Sequence, residues 1–293
     1  MKLFEIGDGL KSIKVASDYY SDWDEEYAQT VLLYKGEDNE PEVRITVISA
    51  VPQENVDINS IYYYIIKEGE EKGHPVTQVA GKSYYLHTEV LKSQNRVIRM
   101  YEIGYKCSFV ILTVTISLKY KDSPLLKKTL QEVESFIPSI DEISLKGITI
   151  FEPKYTDFVG IEERISGILE IEQDDIDNCH EADTTLSKIQ QILDEKKYTS
   201  EQTYELQSLG LALGDYLQYK DERLHWAVVR DKHGRDLCLQ YKNTTLTVFP
   251  MTMISKRIED GEEVVVETLV KGLFNIIEAQ AKDNDFKELD HNY

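Results

Sequence analysis

Long apolar runs are missing from this sequence. The most apolar stretch, Cys107 to Ile116, is broken by Ser108, Thr113 and Thr115. It falls far short of the roughly 20 residues a membrane span needs. The first residues, MKLFEIGDGLKSIKV, carry Glu5 and Asp8 where a secretion signal would keep its apolar centre, so no leader is expected. Cysteine is scarce: Cys107, Cys179 and Cys238 are three and widely spaced. An odd, scattered set excludes a disulfide framework and fits a reducing cytoplasm.

Positive charge is the third deficit. Against 53 Asp and Glu stand 33 Lys and Arg, for a net charge of −20. Such a chain is soluble and repels phosphate backbones and anionic lipid, so neither nucleic acid nor a membrane is an expected partner. Recognisable chemistry is absent as well. There is no G-x-S-x-G, no phosphate loop, no G-x-G-x-x-G and no cysteine in a catalytic setting. No cofactor and no metal are expected. Cys179-His180 has no second Cys or His at ligand spacing, so both are read as structural.

What is present is an apolar content of 41%, enough for true cores in a chain long enough for two domains. In the first half, Ser12–Ala16, Tyr27–Lys35 and Glu42–Val51 read as strands. Val43, Ile45 and Val47 share one face of the last, by the two-residue period of a strand. A helix from Asn59 or Ser60 to Lys72 follows, with Ile61, Tyr64 and Ile65 as its buried stripe. Strands near 83–91, 96–105 and 108–118 come next, with turns at Ser93-Gln94-Asn95 and Gly104-Tyr105-Lys106. A helix opened by Pro124 closes this half through Leu125, Leu126, Leu130, Val133 and Ile137. Consecutive hairpins imply a mostly antiparallel sheet covered by helices. In this order, SIKVASDYYSDW, ITVISA and FVILTVTIS make the first half resemble PsbP-like domains, the fold shared with the Mog family. The likeness implies an architecture for residues 1–140 and no activity.

The loop Asp18 to Glu26 interleaves Tyr19, Tyr20 and Trp23 with five acids. Two readings stand: aromatic anchors for a basic partner, or Trp23 plugging the end of the sheet while the acids face water. The spaced ligands and glycine of an EF-hand are absent, which excludes a calcium loop.

Residues 138–153 read as the boundary. The second domain, 154–282, should hold helices over 157–171, 182–195 and 199–217, the last opened by a Thr199-x-x-Gln202 capping box. Its stripe is Leu206, Leu209, Gly210, Leu213, Gly214 and Leu217. Glycine costs about 1 kcal/mol against alanine inside a helix. Two glycines on one buried face therefore signal a close backbone approach, from the Trp226 strand or from the helix after Gly261. A meander of three strands follows: a hairpin over 225–241 turning at Asp231-Lys232-His233-Gly234, and a strand over 244–249. Lys256-Arg257 comes next, either an anion site or a neutraliser of Asp215, Asp236 or the acidic middle segment. A broad apolar helix running from Val265 through Ile277 ends the fold, and the tail from Lys282 is expected to fray. LGLALGDYL, HWAVVRDKHGRDLCL, VFP and ISKR resemble an uncharacterised bacterial α+β domain family, which implies no activity.

The expected fold is thus α+β, with two domains that each pack a mostly antiparallel sheet with helices. The expected function is a non-enzymatic protein-binding module, an adaptor or immunity-type protein for a basic partner. The alternative is an enzyme of unrecognised type with an interdomain cleft. Binding residues are expected among Tyr19, Tyr20, Trp23, Asp215, Trp226, Lys256 and Arg257.

Overall fold

The computed structural model describes the chain except residues 8, 10, 24–29, 37–38, 50–56, 182–183, 284–285 and 290–293; the side chains of residues 22, 23 and 283 are also outside the description. Asp24, Glu25 and Glu26 of the acidic loop, and the expected helix start at Ala182, therefore lie outside the described residues. The chain divides into two compact units, Met1–Ser144 and Leu145–Tyr293.

The first unit runs β1 (Lys2–Ile6), β2 (Lys11–Val15), β3 (Tyr20–Trp23), β4 (Thr30–Tyr34), β5 (Glu42–Ser49), α1 (Ser60–Lys72), β6 (Val76–Val79), β7 (Lys82–Leu91), β8 (Arg96–Tyr105), β9 (Ser108–Ser117), α2 (Pro124–Phe136) and β10 (Asp141–Glu142). A seven-stranded sheet has the order β3-β4-β5-β9-β8-β7-β6, and a small sheet the order β1-β2-β10. Strand alternation builds the core directly: Val110, Leu112, Val114 and Ile116 of β9 are buried, beside Val43, Ile45 and Val47 of β5. They pack with Phe4, Ile6, Ile13 and Val15 of the small sheet and with Leu126, Val133 and Phe136 of α2. Ser123 caps α2 by accepting from the Leu126 N–H at 3.1 Å, and Pro124 occupies its first turn.

Several expectations change here. Tyr20–Trp23 is an edge strand paired to β4, not a loop. β1 and β6 were not anticipated. In α1 the buried residues are Ile65 and Gly69, with Ile61 half-buried, whereas Tyr64 is exposed. Gly104 is not a turn residue. It pairs inside β8, and a Cβ there would stand 2.6 Å from the Ile61 carbonyl oxygen, so it lets α1 lie close on the strand. The turn beyond it is Lys106-Cys107, with Lys106 at φ 53.

The second unit runs β11 (Thr149–Phe151), α3 (Tyr155–Leu169), α4 (Ile176–Glu181), α5 (Thr185–Asp194), α6 (Thr203–Lys220), β12 (Leu224–Asp231), β13 (Gly234–Tyr241), β14 (Thr247–Val248), α7 (Pro250–Glu259) and α8 (Val266–Asp283). Its sheet has the order β11-β12-β13-β14. Each sheet draws its strands from one unit, and every pairing among the described residues is antiparallel. The mixed α+β class follows. No helix among the described residues is long and apolar enough to cross a membrane.

α6 is the centre of this unit. Beyond the expected stripe it also buries Ser208, Leu211, Ala212 and Tyr216, so it is covered on nearly every side. The helix begins at Thr203 rather than Thr199. Gln202 accepts from the Thr199 N–H at 3.0 Å and closes the turn before the helix instead of capping it. The element lying on its glycines is α7, a helix not anticipated, which starts at Pro250. A Cβ on Gly210 would stand 2.8 Å from Met251 Cα; one on Gly214 would stand 2.6 Å from the Trp226 ring and 2.8 Å from the Pro250 ring. The Trp226 strand does reach Gly214, through its ring rather than its backbone; the helix after Gly261 is not the other partner. The tail does not simply fray. Leu289 N donates to Asn243 O at 2.9 Å, and Thr245 N to Lys287 O at 2.9 Å.

Candidate functional site

Two of the expected site residues meet. Asp215, on α6, accepts from Trp226 Nε1 of β12 at 3.1 Å through Oδ1. Its Oδ2 lies 3.0 Å from His180 Nε2. The other imidazole nitrogen, Nδ1, is 2.8 Å from the Thr185 hydroxyl at the start of α5. One polar string therefore runs Thr185–His180–Asp215–Trp226 and joins α5, α4, α6 and β12. If Nε2 carries the proton toward Asp215, the hydroxyl donates to Nδ1. His180 and Thr185 are buried, while Asp215 is 23% exposed. Tyr219, half-exposed, lies over the imidazole with ring centroids 5.4 Å apart. At the open side, partial burial and the Asp215 and Asp177 carboxylates hold Glu162 above the usual carboxylate range.

The arrangement has the members of a hydroxyl–imidazole–carboxylate relay, but the hydroxyl is enclosed. Reading His180 as structural agrees with this: both its ring nitrogens are taken by hydrogen bonds within the string.

Lys256 and Arg257 stand apart, in the last turn of α7. Arg257 Nη1 donates to Met253 O at 2.6 Å. Neither forms an ion pair with Asp215 or Asp236 among the described residues, and Asp215 is already taken by His180 and Trp226.

In the first unit the aromatic residues separate. Tyr19 is buried, edge-on to Phe136 at 5.5 Å, with its hydroxyl donating to Glu132 at 2.9 Å. Burial and that carboxylate push its phenol well above the usual range. Lys35 sits 4.4 Å over the ring and bridges Asp18 at 2.7 Å and Glu132 at 2.9 Å. Tyr19 is thus a plug and cannot serve as an anchor. Tyr20 is 53% exposed, with Lys2 Nζ 4.3 Å over its ring and Tyr34 beside it at 6.0 Å. Trp23 is placed in β3 opposite Val31.

An open apolar feature of the second unit was not anticipated. A cavity of about 630 Å³ lies between α8, α7 and β14. Leu246, Val248 and Met253 form one wall; Val265, Leu269, Leu273 and Ile276 form the other; Arg257, Glu262 and Glu263 stand at its margin. The signal that could have found it is the width of the apolar side of α8. Val266, Val270 and Ile277 face the core, and one helix cannot bury Val265 and Ile276 as well.

A family model described as a domain of unknown function (DUF3806) matches residues 185–269, which span α5 to the start of α8. No curated protein matches. Among solved structures, a crystal structure from Bacteroides thetaiotaomicron is similar, with a TM-score of 0.71 and 15% identity over 93% of this chain and 98% of that one. At that identity the likeness shows the fold.

Proposed function

We propose that this chain is a non-enzymatic protein-binding module, an adaptor or immunity-type protein that works in the cytoplasm on a basic partner. The observation that carries the reading is the α7–α8 groove: an apolar trough, with Glu262 and Glu263 at its margin, in a chain of net charge −20. Apolar walls supply affinity, and the surrounding negative field steers and selects a positive partner. The closed Thr185–His180–Asp215–Trp226 string supports the same reading, because its polar groups satisfy one another and neither His180 nor Asp215 lines the groove. The PsbP-like reading of the first unit is supported by its strand and helix order and concerns architecture alone.

An enzyme remains the second reading. One observation favours it: Asp215 is partly open beside Glu162, whose carboxyl is held above its usual range.

The test places a photo-crosslinking residue at Thr268 in the groove and, separately, at exposed His233, in the native cell. The binding reading expects a discrete adduct with a basic protein from position 268, lost when Glu262 and Glu263 are changed to lysine. The same adducts from both positions, or none from 268, overturn it.

A further inference from the structure

We infer that the groove takes an amphipathic helix of the basic partner, laid along α8. The inference rests on the protein-binding reading above. On the open side of α8, Val265, Leu269, Gly272 and Ile276 recur at spacings of four, three and four, and all of them line the groove. At 1.5 Å per residue this stripe runs about 16 Å, three helical turns. Its ends stand proud: Val265 is 49% exposed and Ile276 56%. Its middle is hollow, since a Cβ on Gly272 would meet nothing within 4 Å. A large apolar side chain of a partner helix fits that hollow, and its neighbours one turn away fall between Leu269 and Ile276.

The opposite wall argues for a helix over an added strand. The edge it offers is β14, only two residues long, which gives an incoming strand little backbone to pair with. A helix satisfies its own backbone and needs only side-chain contact. Charge fixes the flanks. Glu262 and Glu263 are exposed at one end of the stripe, whereas Arg257, the cation among the described residues that line the groove, is tied to the Met253 carbonyl. The ligand chemistry is therefore a helix with apolar residues at i, i+4, i+7 and i+11 and with lysine or arginine beside them.

The probes are fluorescent peptides of about 18 residues, long enough for five turns. One carries leucine at that helical spacing and lysine elsewhere; a second has the same composition with its leucines at every other position of one central stretch, which favours a strand. Binding to the full chain is followed by anisotropy near physiological salt. The expected result is saturable binding of the helical peptide and about tenfold weaker binding of the alternating one. Gly272→Leu fills the hollow without touching the core, and should weaken the helical peptide by about tenfold or more while the melting curve is kept or raised. The double variant Glu262→Gln, Glu263→Gln should weaken it less and flatten its salt dependence. If both peptides bind alike and Gly272→Leu weakens both, the helix inference falls and the protein-binding reading stands. If neither peptide binds, or Gly272→Leu changes nothing, both fall.

Discussion

The backbone of Met251 passes so close to Gly210 that a Cβ on the glycine would lie 2.8 Å from Met251 Cα. The contact joins the middle of α6 to the first turn of α7. It also involves the Pro250 carbonyl oxygen, so backbone meets backbone and no side chain can swing away.

Gly210→Ala should therefore destabilise the second unit. The helix gains up to about 1 kcal/mol, but overpacking against fixed backbone costs about 1–3 kcal/mol. Gly214→Ala meets the Trp226 and Pro250 rings at 2.6 and 2.8 Å and should also cost stability, by less, because the tryptophan can shift. Urea melts followed by fluorescence in a Trp23→Phe background report Trp226 alone. A raised midpoint for both variants would show that the contact has slack.

Gly167→Ala should do the opposite. This α3 glycine has nothing within 4 Å of a Cβ position, so the substitution should stabilise by up to about 1 kcal/mol. A loss of midpoint in the same melts would contradict the open surface there.

His180→Ala should cost more than Trp226→Phe. The first removes a buried imidazole and leaves the Thr185 hydroxyl and one Asp215 oxygen without their partner, at about 1–3 kcal/mol for the unmet polar groups alone. The second keeps an aromatic ring and frees one oxygen of Asp215, which at 23% exposure can recruit water. Equal costs would mean that the string is not a connected unit.

Acid should weaken the Asp221–Arg223 pair. The Arg223 guanidinium holds the Asp221 carboxyl below its ordinary value of 3.8, and Arg223 also reaches Glu278 on α8 at 2.5 Å. A carboxyl lowered by folding stabilises at pH above its unfolded value and loses that contribution as pH falls through the folded one. The midpoint difference between the wild type and Asp221→Asn should be full near pH 5 and shrink below about pH 4. A difference independent of pH would remove the ion pair from the explanation.

Nucleic acid should not bind at physiological salt, because a chain of net charge −20 has few phosphates it can neutralise. Saturable binding with a steep salt slope would reveal a local basic surface strong enough to defeat the global charge.

Local order was legible in the sequence. β5 and β9 alternate with period two, and α2, α3 and α6 carry apolar residues at helical spacing, because both signals sit in neighbouring residues. The mid-helix glycines of α6 announced a close approach because they fall on its apolar stripe, unlike Gly167 of α3, which is exposed and has nothing near a Cβ position. What sequence could not settle was who approaches whom. α7 was hidden by its short length and mixed polarity, and it is nevertheless the element that lies on Gly210. β1, β3 and β6 are short, and only pairing with a neighbour makes them strands. His180 and Asp215 lie 35 positions apart, and no local pattern couples them. The chain path through α5 and α6 brings them to 3.0 Å, and burial then obliges each polar atom to find the other. The groove arises likewise from a surplus: α8 has more apolar surface than the core beneath it can cover, and only the packed fold shows which side is left open.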